Sequence, residues 1–339
     1  MTTRSALLLF AYVFVFLSCN EPSKVTEVSE QENEIEYPCL SSNSDCLNKL
    51  DILDGTFQVF SSFHIDSSSD VRGAIISIHG NTRNADDYFD KMVSIINTQV
   101  LTDEIMVIAP KFITTYEKTL DSDWYWNTTS WKWGLQSYNS PFGQNISSFQ
   151  AIDSLLSKLS NKQYFPQLSD IIITGHSSGA AFVHMLSYSK SSNHFKGLNL
   201  HFAVVNNQYF THPESSRISP SGSLSTLDDC NGYNDWPYGL NNLSPYMDLI
   251  GEISAKNNFF SNKVNYFIAE NDTDSENITS GCHLEILGNN RFEKTMNYMT
   301  YLDMIFPENE HEHTIIPNLN HSTNSLSSDV FRTYIDSIF

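Results

Sequence analysis

The most reactive arrangement in the sequence is the pentapeptide Gly175-His176-Ser177-Ser178-Gly179, which matches the G-x-S-x-G nucleophile elbow. In such an elbow the serine lies on a strained turn between a strand and a helix, so the residues two positions away must lack a Cβ atom. Ile171 to Ile173 predict a buried strand before the motif, and Ala180 to Ser189 predict a helix after it. Ser177 is therefore the candidate nucleophile. The backbone N–H of Ser178, at the positive end of that helix, is a candidate oxyanion donor.

A serine hydroxyl needs a base to become nucleophilic, and the base needs a carboxylate to orient it. His321 follows the last predicted strand, and we assign it as the base. The strand predicted at 263–269 runs into three acids, Glu270, Asp272 and Asp274. All three stay candidates on this argument, because order along the chain does not fix geometry.

The remaining histidines are assigned structural roles, including His176 inside the elbow. His311 and His313 would share one strand face, as two metal ligands can, but no third ligand is spaced nearby. We therefore expect no metal site, and no cofactor of another kind.

Strand and helix patterns alternate along most of the chain. Apolar runs at 73–78, 105–109, 171–173, 198–205 and 263–269 predict buried strands, separated by amphipathic helices such as the one at 149–159. Thr56 to Ile65 predicts an edge strand. The alternation indicates an α/β fold with a mostly parallel sheet and helices on both faces.

Two long stretches interrupt this alternation. Residues 114–148 hold four of the five tryptophans, and residues 206–248 contain Cys230 to Leu240, yet neither stretch has a clear periodicity. Long loops inside a compact domain are usually functional, so we expect two insertions that form a cap or substrate wall. A loop packed on its own aromatic rings would explain the first insertion equally well.

The chain order of serine, acid and histidine, each after a strand, resembles the α/β-hydrolase fold from about Thr56 to Phe339. More narrowly, the sequence is similar to a poorly characterised group of exported α/β-hydrolases from fungi and bacteria. The similar segments are H-G-N-T-R-N-A-D-D-Y-F (79–89), S-W-K-W-G (130–134), F-P-Q-L-S-D-I-I-I-T-G-H-S-S-G-A (165–180), C-N-G-Y-N-D-W-P-Y-G-L (230–240) and N-H-S (320–322).

The resemblance implies roles for further residues. A His-Gly turn after an early strand supplies the second oxyanion donor in this fold, which points to the backbone N–H of Asn81. Ala269-Glu270-Asn271-Asp272 resembles the small-x-x-Asp strand end that carries the family's acid, so we favour Asp272 over Asp274 and Glu270.

Residues 1–19 resemble an export signal, with Arg4, an apolar run from Leu7 to Leu17, and Cys19 in a position like that of a lipidated cysteine. The acidic stretch at 20–38 predicts a flexible spacer, followed by one α/β domain at 39–339. We expect an exported protein, held at the bacterial cell envelope by lipid on Cys19 or otherwise secreted. Its net charge of -20 argues against nucleic acid or an anionic membrane surface as partners.

Four cysteines remain after Cys19, and an even number in an oxidising compartment predicts two disulfides. Three pairings are possible. We favour Cys39 with Cys46 and Cys230 with Cys282, and the resemblance supports the second pair.

These observations favour a serine hydrolase that cleaves a carboxylic ester through an acyl-enzyme intermediate. A serine peptidase would use the same groups. The alternative from another class is a non-catalytic glycan-binding protein on a hydrolase scaffold, with the tryptophan-bearing insertions contacting sugar. The substrate and the oligomeric state are not predicted.

Overall fold

The strand that leads to Ser177 lies in the middle of an eight-stranded sheet in the structure of the chain, a computed structural model. The structure describes residues 37–138, 143–191 and 194–339. The predicted signal at 1–19, with Cys19, and the predicted spacer up to residue 36 lie outside these residues. Among the described residues, no helix is both long and apolar enough to cross a membrane.

The strands are numbered in chain order. They are β1 (Leu47–Ile52), β2 (Gly55–Ser61), β3 (Gly73–Ile78), β4 (Ile105–Pro110), β5 (Asp170–His176), β6 (Asn199–Val205), β7 (Arg217–Ile218), β8 (Leu224–Ser225), β9 (Val264–Ala269) and β10 (Glu312–Ile316).

The helices follow the same convention. They are α1 (Ala85–Thr98), α2 (Ser148–Leu159), α3 (Ser178–Ser189), α4 (Pro245–Ile250), α5 (Glu252–Ser261), α6 (Cys282–Glu285), α7 (Arg291–Ile305) and α8 (Asp329–Ile338), with 3₁₀ turns at Ser130–Trp133 and Thr323–Ser327.

The large sheet has the strand order β1-β2-β4-β3-β5-β6-β9-β10. Strands β4 to β10 in this order pair in parallel, whereas β2 is antiparallel to both β1 and β4. The predicted mostly parallel α/β architecture is therefore present. The predicted edge position of Thr56 to Ile65 is wrong, because β1 pairs with β2 and takes the edge. The signal for β1 is weak, since its sequence L-N-K-L-D-I mixes charged and apolar residues.

Helices cover both faces of the sheet. The central strands are therefore buried on both sides, as the three isoleucines at Ile171–Ile173 in β5 show. The side chains of Ile171 and Ile173 join one buried cluster, with residues of α2, α3, α5 and α7. Ile172 joins a second cluster on the opposite face, with residues of α1 and α8. A strand buried on both faces carries no polar alternation.

The carboxyl ends of β5, β9 and β10 lie at the same edge of the sheet because these strands are parallel. The segments that follow these ends carry Ser177, Asp272 and His321. Ligands of open α/β sheets bind at this edge. The topology therefore brings together three residues that are far apart in the sequence.

Candidate active site

Ser177 occupies a sharp turn between β5 and α3. Its backbone has φ 60° and ψ -115°, a conformation that L residues rarely adopt, and its N–H donates to the carbonyl of Val205 at 3.0 Å. A Cβ on Gly175 would lie 2.4 Å from the carbonyl carbon of Gly179, and one on Gly179 would lie 2.2 Å from the carbonyl oxygen of Ile78. Both glycines are thus required by close backbone packing, which holds the serine at the end of the sheet.

The hydroxyl of Ser177 lies against the imidazole of His321. Ser177 Oγ is 3.1 Å from His321 Nε2, and His321 Nδ1 is 2.8 Å from Asp272 Oδ2. Asp272 is 1% exposed, whereas Glu270 and Asp274 are exposed to solvent. The Glu270 carboxylate instead accepts a hydrogen bond from the backbone N–H of Asn318 at 2.9 Å. Of the three acids that follow β9, Asp272 is therefore the one in contact with the histidine.

The buried Asp272 carboxylate has a second charged neighbour. Arg291 Nη1 lies 3.5 Å from Asp272 Oδ1, and Arg291 Nη2 donates to the carbonyl of Asn277 at 3.0 Å. Arg291 is itself 3% exposed. A buried carboxylate is costly unless it is paired, so this arginine offsets part of the cost of placing Asp272 beneath the histidine.

Asn81 and Ser178, whose backbone N–H groups are the candidate oxyanion donors, line the same cleft as Ser177. Neither group donates a hydrogen bond to another residue in the described part of the chain. His79 fixes the loop that carries Asn81, since its Nε2 accepts from the N–H of Phe112 at 3.1 Å and its Nδ1 donates to the carbonyl of Gly80 at 2.9 Å. Burial lowers the pKa of His79 to about 4, so the ring is neutral and its tautomer is set by these two bonds.

Asn206 is a positioning residue that the sequence did not indicate. Its side-chain oxygen accepts from the N–H of Ala269 at 2.9 Å, and its side-chain nitrogen donates to Ser325 Oγ at 2.9 Å. One amide therefore joins the end of β6 to the end of β9 and to the 3₁₀ turn that follows His321. Its φ of 55° is a further sign of a constrained position, but φ is not visible in a sequence.

The cleft above Ser177 has a volume of about 550 Å³. It is lined by Asn81, Thr129, Lys132, Ser177, Ser178, Gln208, Tyr209, Asn277, Ile278, Thr279, Arg291 and His321. The first insertion supplies Thr129 and Lys132 and the second supplies Gln208 and Tyr209, so both insertions contribute to the wall of the cleft. The segment 277–279 and Arg291, which the sequence did not indicate, form part of the wall too.

Most of the insertions' aromatic rings pack inside the protein rather than facing the cleft. Trp124, Trp126 and Trp131 are buried, and Trp131 stacks on Phe112 with 5.4 Å between ring centroids. Both interpretations of the first insertion therefore hold in part: its tryptophans form a packed support, and its polar residues reach the site.

The two disulfides join Cys39 to Cys46 and Cys230 to Cys282, which is the favoured pairing. The second disulfide links the second insertion to α6, a few residues after the wall segment 277–279.

Cys230, Cys282 and His283 are the one group of potential metal ligands in the described ranges. The two sulfur atoms are bonded to each other, so they are not thiolate ligands.

No protein-family model matches the chain, and no curated protein is similar to it in sequence. Solved structures are similar in fold. The LpqC poly(3-hydroxybutyrate) depolymerase from Bordetella parapertussis has a TM-score of 0.59 at 16% sequence identity, with 84% of this chain and 85% of that chain covered. Poly(aspartic acid) hydrolase-1 from Sphingomonas sp. KT-1 has a TM-score of 0.60 at 15% identity, with 86% and 97% covered. With the sheet order and the turn at Ser177, these similarities show that the chain has the α/β-hydrolase fold.

Proposed function

We propose that the protein is a serine hydrolase that cleaves a carboxylic ester through an acyl-enzyme intermediate. The observation that carries the proposal is the continuous contact from Ser177 Oγ to His321 Nε2, at 3.1 Å, and from His321 Nδ1 to Asp272 Oδ2, at 2.8 Å. These groups lie beside a cleft that opens to solvent, where a substrate carbonyl can approach the serine.

In the proposed reaction, His321 Nε2 takes the proton of Ser177 Oγ as that oxygen attacks the carbonyl carbon. Asp272 stabilises the imidazolium that forms. The backbone N–H groups of Ser178 and Asn81 donate to the tetrahedral oxyanion, and each such donor contributes about 3 kcal/mol to the transition state.

His321 then returns the proton to the departing alcohol, which leaves the acyl group on Ser177. A water molecule attacks this second ester while His321 accepts its proton. The carboxylic acid is released and the serine regains its proton from the histidine.

An ester is the proposed bond. One of the solved structures described above is a poly(3-hydroxybutyrate) depolymerase, and the polymer named there is a polyester. The other is a poly(aspartic acid) hydrolase, so a serine peptidase is the alternative function for the same catalytic groups. Paired p-nitrophenyl esters and p-nitroanilides with the same acyl group separate these alternatives, and we expect turnover of the esters.

The decisive variant is Ser177→Ala. We expect it to lose turnover of short p-nitrophenyl esters and labelling by a fluorophosphonate probe, with an unchanged melting temperature. Ser154→Ala, which removes a hydroxyl from α2 outside the cleft, is the matched control and should retain both. Retained turnover in Ser177→Ala would remove this serine from the reaction, and a wild-type chain that the probe does not label would support the glycan-binding alternative.

A further inference from the structure

Lys132 is a buried lysine that lines the active-site cleft. The residue is 5% exposed, and its Nζ lies 4.6 Å from the centroid of the Trp133 ring and 4.9 Å from that of Tyr209. Within the described ranges its ammonium has no carboxylate partner and no hydrogen bond. A lysine in this position holds a charge that the protein itself does not neutralise.

Another buried lysine, Lys190, shows how the charge of a buried ammonium is usually neutralised. Lys190 is 1% exposed and forms an ion pair with Asp153, and it also donates to the Tyr246 hydroxyl at 2.9 Å. Both lysines lie near an aromatic ring, since Lys190 Nζ is 5.2 Å from the centroid of Tyr246. The missing carboxylate distinguishes Lys132 from Lys190, because buried charges in proteins are normally paired. Lys294, 0% exposed, also has no partner among the described residues, but unlike Lys132 it does not line the cleft.

Among the described residues, the lining of the cleft contains basic side chains and no acidic one. Arg291 is offset by Asp272, at 3.5 Å, which leaves the charge of Lys132 unmatched. The chain as a whole has a net charge of -20, so a positive cleft runs against the overall charge of the molecule. Clefts lined by one sign of charge attract ligands of the opposite sign.

The backbone around Lys132 is held firmly. Asn127 Oδ1 accepts from the N–H groups of Thr129 and Ser130, at 2.9 and 2.7 Å. The carbonyl of Trp133 accepts from Trp236 Nε1 at 2.8 Å. The backbone that carries Lys132 is therefore ordered, and a ligand that binds here need not order this loop first.

We propose that Lys132 binds a carboxylate carried by the substrate, so that the preferred substrate is an ester with a free carboxylate on its acyl or alcohol part. The inference rests on the proposed function, since it names the substrate class of the same site. One unmatched positive charge suits one singly charged group. The side-chain amide of Gln208 donates one N–H to the carbonyl of Asn277 at 3.4 Å and has a second N–H donor in the same cleft.

Matched esters test this proposal. Monomethyl succinate carries a carboxylate on the acyl side where methyl butyrate carries a methyl group, and acetoxyacetate does the same on the alcohol side relative to ethyl acetate. We expect kcat/KM to favour the charged ester of at least one pair by roughly 10- to 100-fold, as for a hydrogen bond to a charged group. Equal or lower kcat/KM for both charged esters overturns the proposal.

Lys132→Met keeps most of the side-chain volume and removes the charge. We expect it to reduce the ratio of kcat/KM between charged and neutral esters by roughly 10- to 100-fold. Lys118→Met is the matched control, because Lys118 also lies over a ring, 5.4 Å from the centroid of Tyr125, but outside the cleft. A purely structural role for Lys132 predicts equal losses for both esters and an unchanged ratio, which would overturn the proposal.

A binding measurement separates this proposal from the proposed function. The Ser177→Ala variant retains Lys132. In this variant, isothermal titration calorimetry should detect binding of succinamate but no binding of its neutral counterpart, butyramide. If succinamate binds and butyramide does not, and the wild-type chain has no esterase activity, the anion site is retained and the hydrolase is rejected. Ester hydrolysis without any preference for succinamate would retain the hydrolase and reject the anion site. The comparison uses wild-type Lys132, so it stands even if Lys132→Met does not fold.

Discussion

The imidazole of His176 packs against that of His321 in a tilted arrangement, with 4.7 Å between the ring centroids and 31° between the ring planes. His176 is buried, and this burial, together with the neighbouring His321, lowers its pKa well below its usual range. The ring is therefore neutral at neutral pH. A neutral ring supports His321 from one side without repelling the proton that His321 must accept in the proposed reaction.

We expect His176→Ala to lower kcat by roughly 10- to 100-fold, because a small displacement of a catalytic group costs about that much. His176→Phe keeps an uncharged ring against His321 and should lose less activity. Steady-state kinetics at pH 7 with thermal unfolding of both variants provides the measurement. Equal losses in the two variants would show that this ring packing does not position His321.

Asp272→Asn should lower kcat by about 10,000-fold, since an amide no longer stabilises the imidazolium. Asp274→Asn is the control, because Asp274 is exposed and lies two residues further along the same loop. We expect it to retain nearly full activity. Because Asp272→Asn also leaves the buried Arg291 without its ion pair, kcat should be compared for folded protein, as judged by circular dichroism. A larger loss in Asp274→Asn would show that Asp274, rather than Asp272, is the acid.

Gly179→Ala should destabilise the fold by about 3 kcal/mol or more, because the new Cβ would lie 2.2 Å from the carbonyl oxygen of Ile78 and 2.7 Å from that of His79. Gly222→Ala provides the contrast. Its φ of 78° carries a penalty of about 1 kcal/mol, but no atom lies within 4 Å. Urea unfolding of both variants measures the difference, and equal losses would contradict close backbone packing at the elbow.

The charge of Lys132 should make substrate preference depend on pH. Burial lowers the pKa of Lys132 to about 8, and the titratable or charged groups that share its cleft are Arg291, His321 and Tyr209. The ammonium is present below this pKa and is lost as pH rises through it. The ratio of kcat/KM for monomethyl succinate to that for methyl butyrate should therefore fall above about pH 8 in the wild type. It should be flat in Lys132→Met, and a similar decline in that variant would assign the titration to another group.

The same burial bears on stability. The unfolded chain binds more protons than the folded chain between pH about 8 and the usual lysine pKa of 10.5, so the cost of burying the ammonium is complete below pH 8 and declines above it. Lys132→Met should consequently melt no lower than the wild type at pH 7. A clearly lower melting temperature would indicate that the contacts with Trp133 and Tyr209 stabilise the fold.

The disulfides should contribute unequally to stability. Loss of the Cys230–Cys282 bond, in the double serine variant, is expected to cost about 4 kcal/mol, against about 2 kcal/mol for Cys39–Cys46, because the sequence separations are 52 and 7 residues. Loss of the Cys230–Cys282 bond should also raise KM for the ester substrate, since this disulfide anchors α6 beside the wall segment 277–279. Unfolding and kinetics of both variants test this, and an unaffected KM would separate the disulfide from the cleft.

The sequence predicts the central sheet and the elbow well because their signals are local. The strand before Ser177 is an unbroken apolar run, and the two glycines are close to it in the sequence. The choice of Asp272 rested on a family resemblance, and its burial beneath His321 is a property of the folded chain. Lys132, Arg291 and Asn206 could not be predicted, since their importance depends on partners that are distant in sequence, such as Ser325, 119 residues from Asn206.

Asn206 joins the end of β6 to the end of β9, which leads to Asp272, and to the 3₁₀ turn that follows His321, whereas loops supply most of the wall of the cleft. Wall residues such as Thr129 and Thr279 can therefore be exchanged without breaking the two hydrogen bonds that the Asn206 side chain makes. The side-chain amide of Asn206 thus holds the segments of the proposed acid and base in alignment, whichever residues line the cleft.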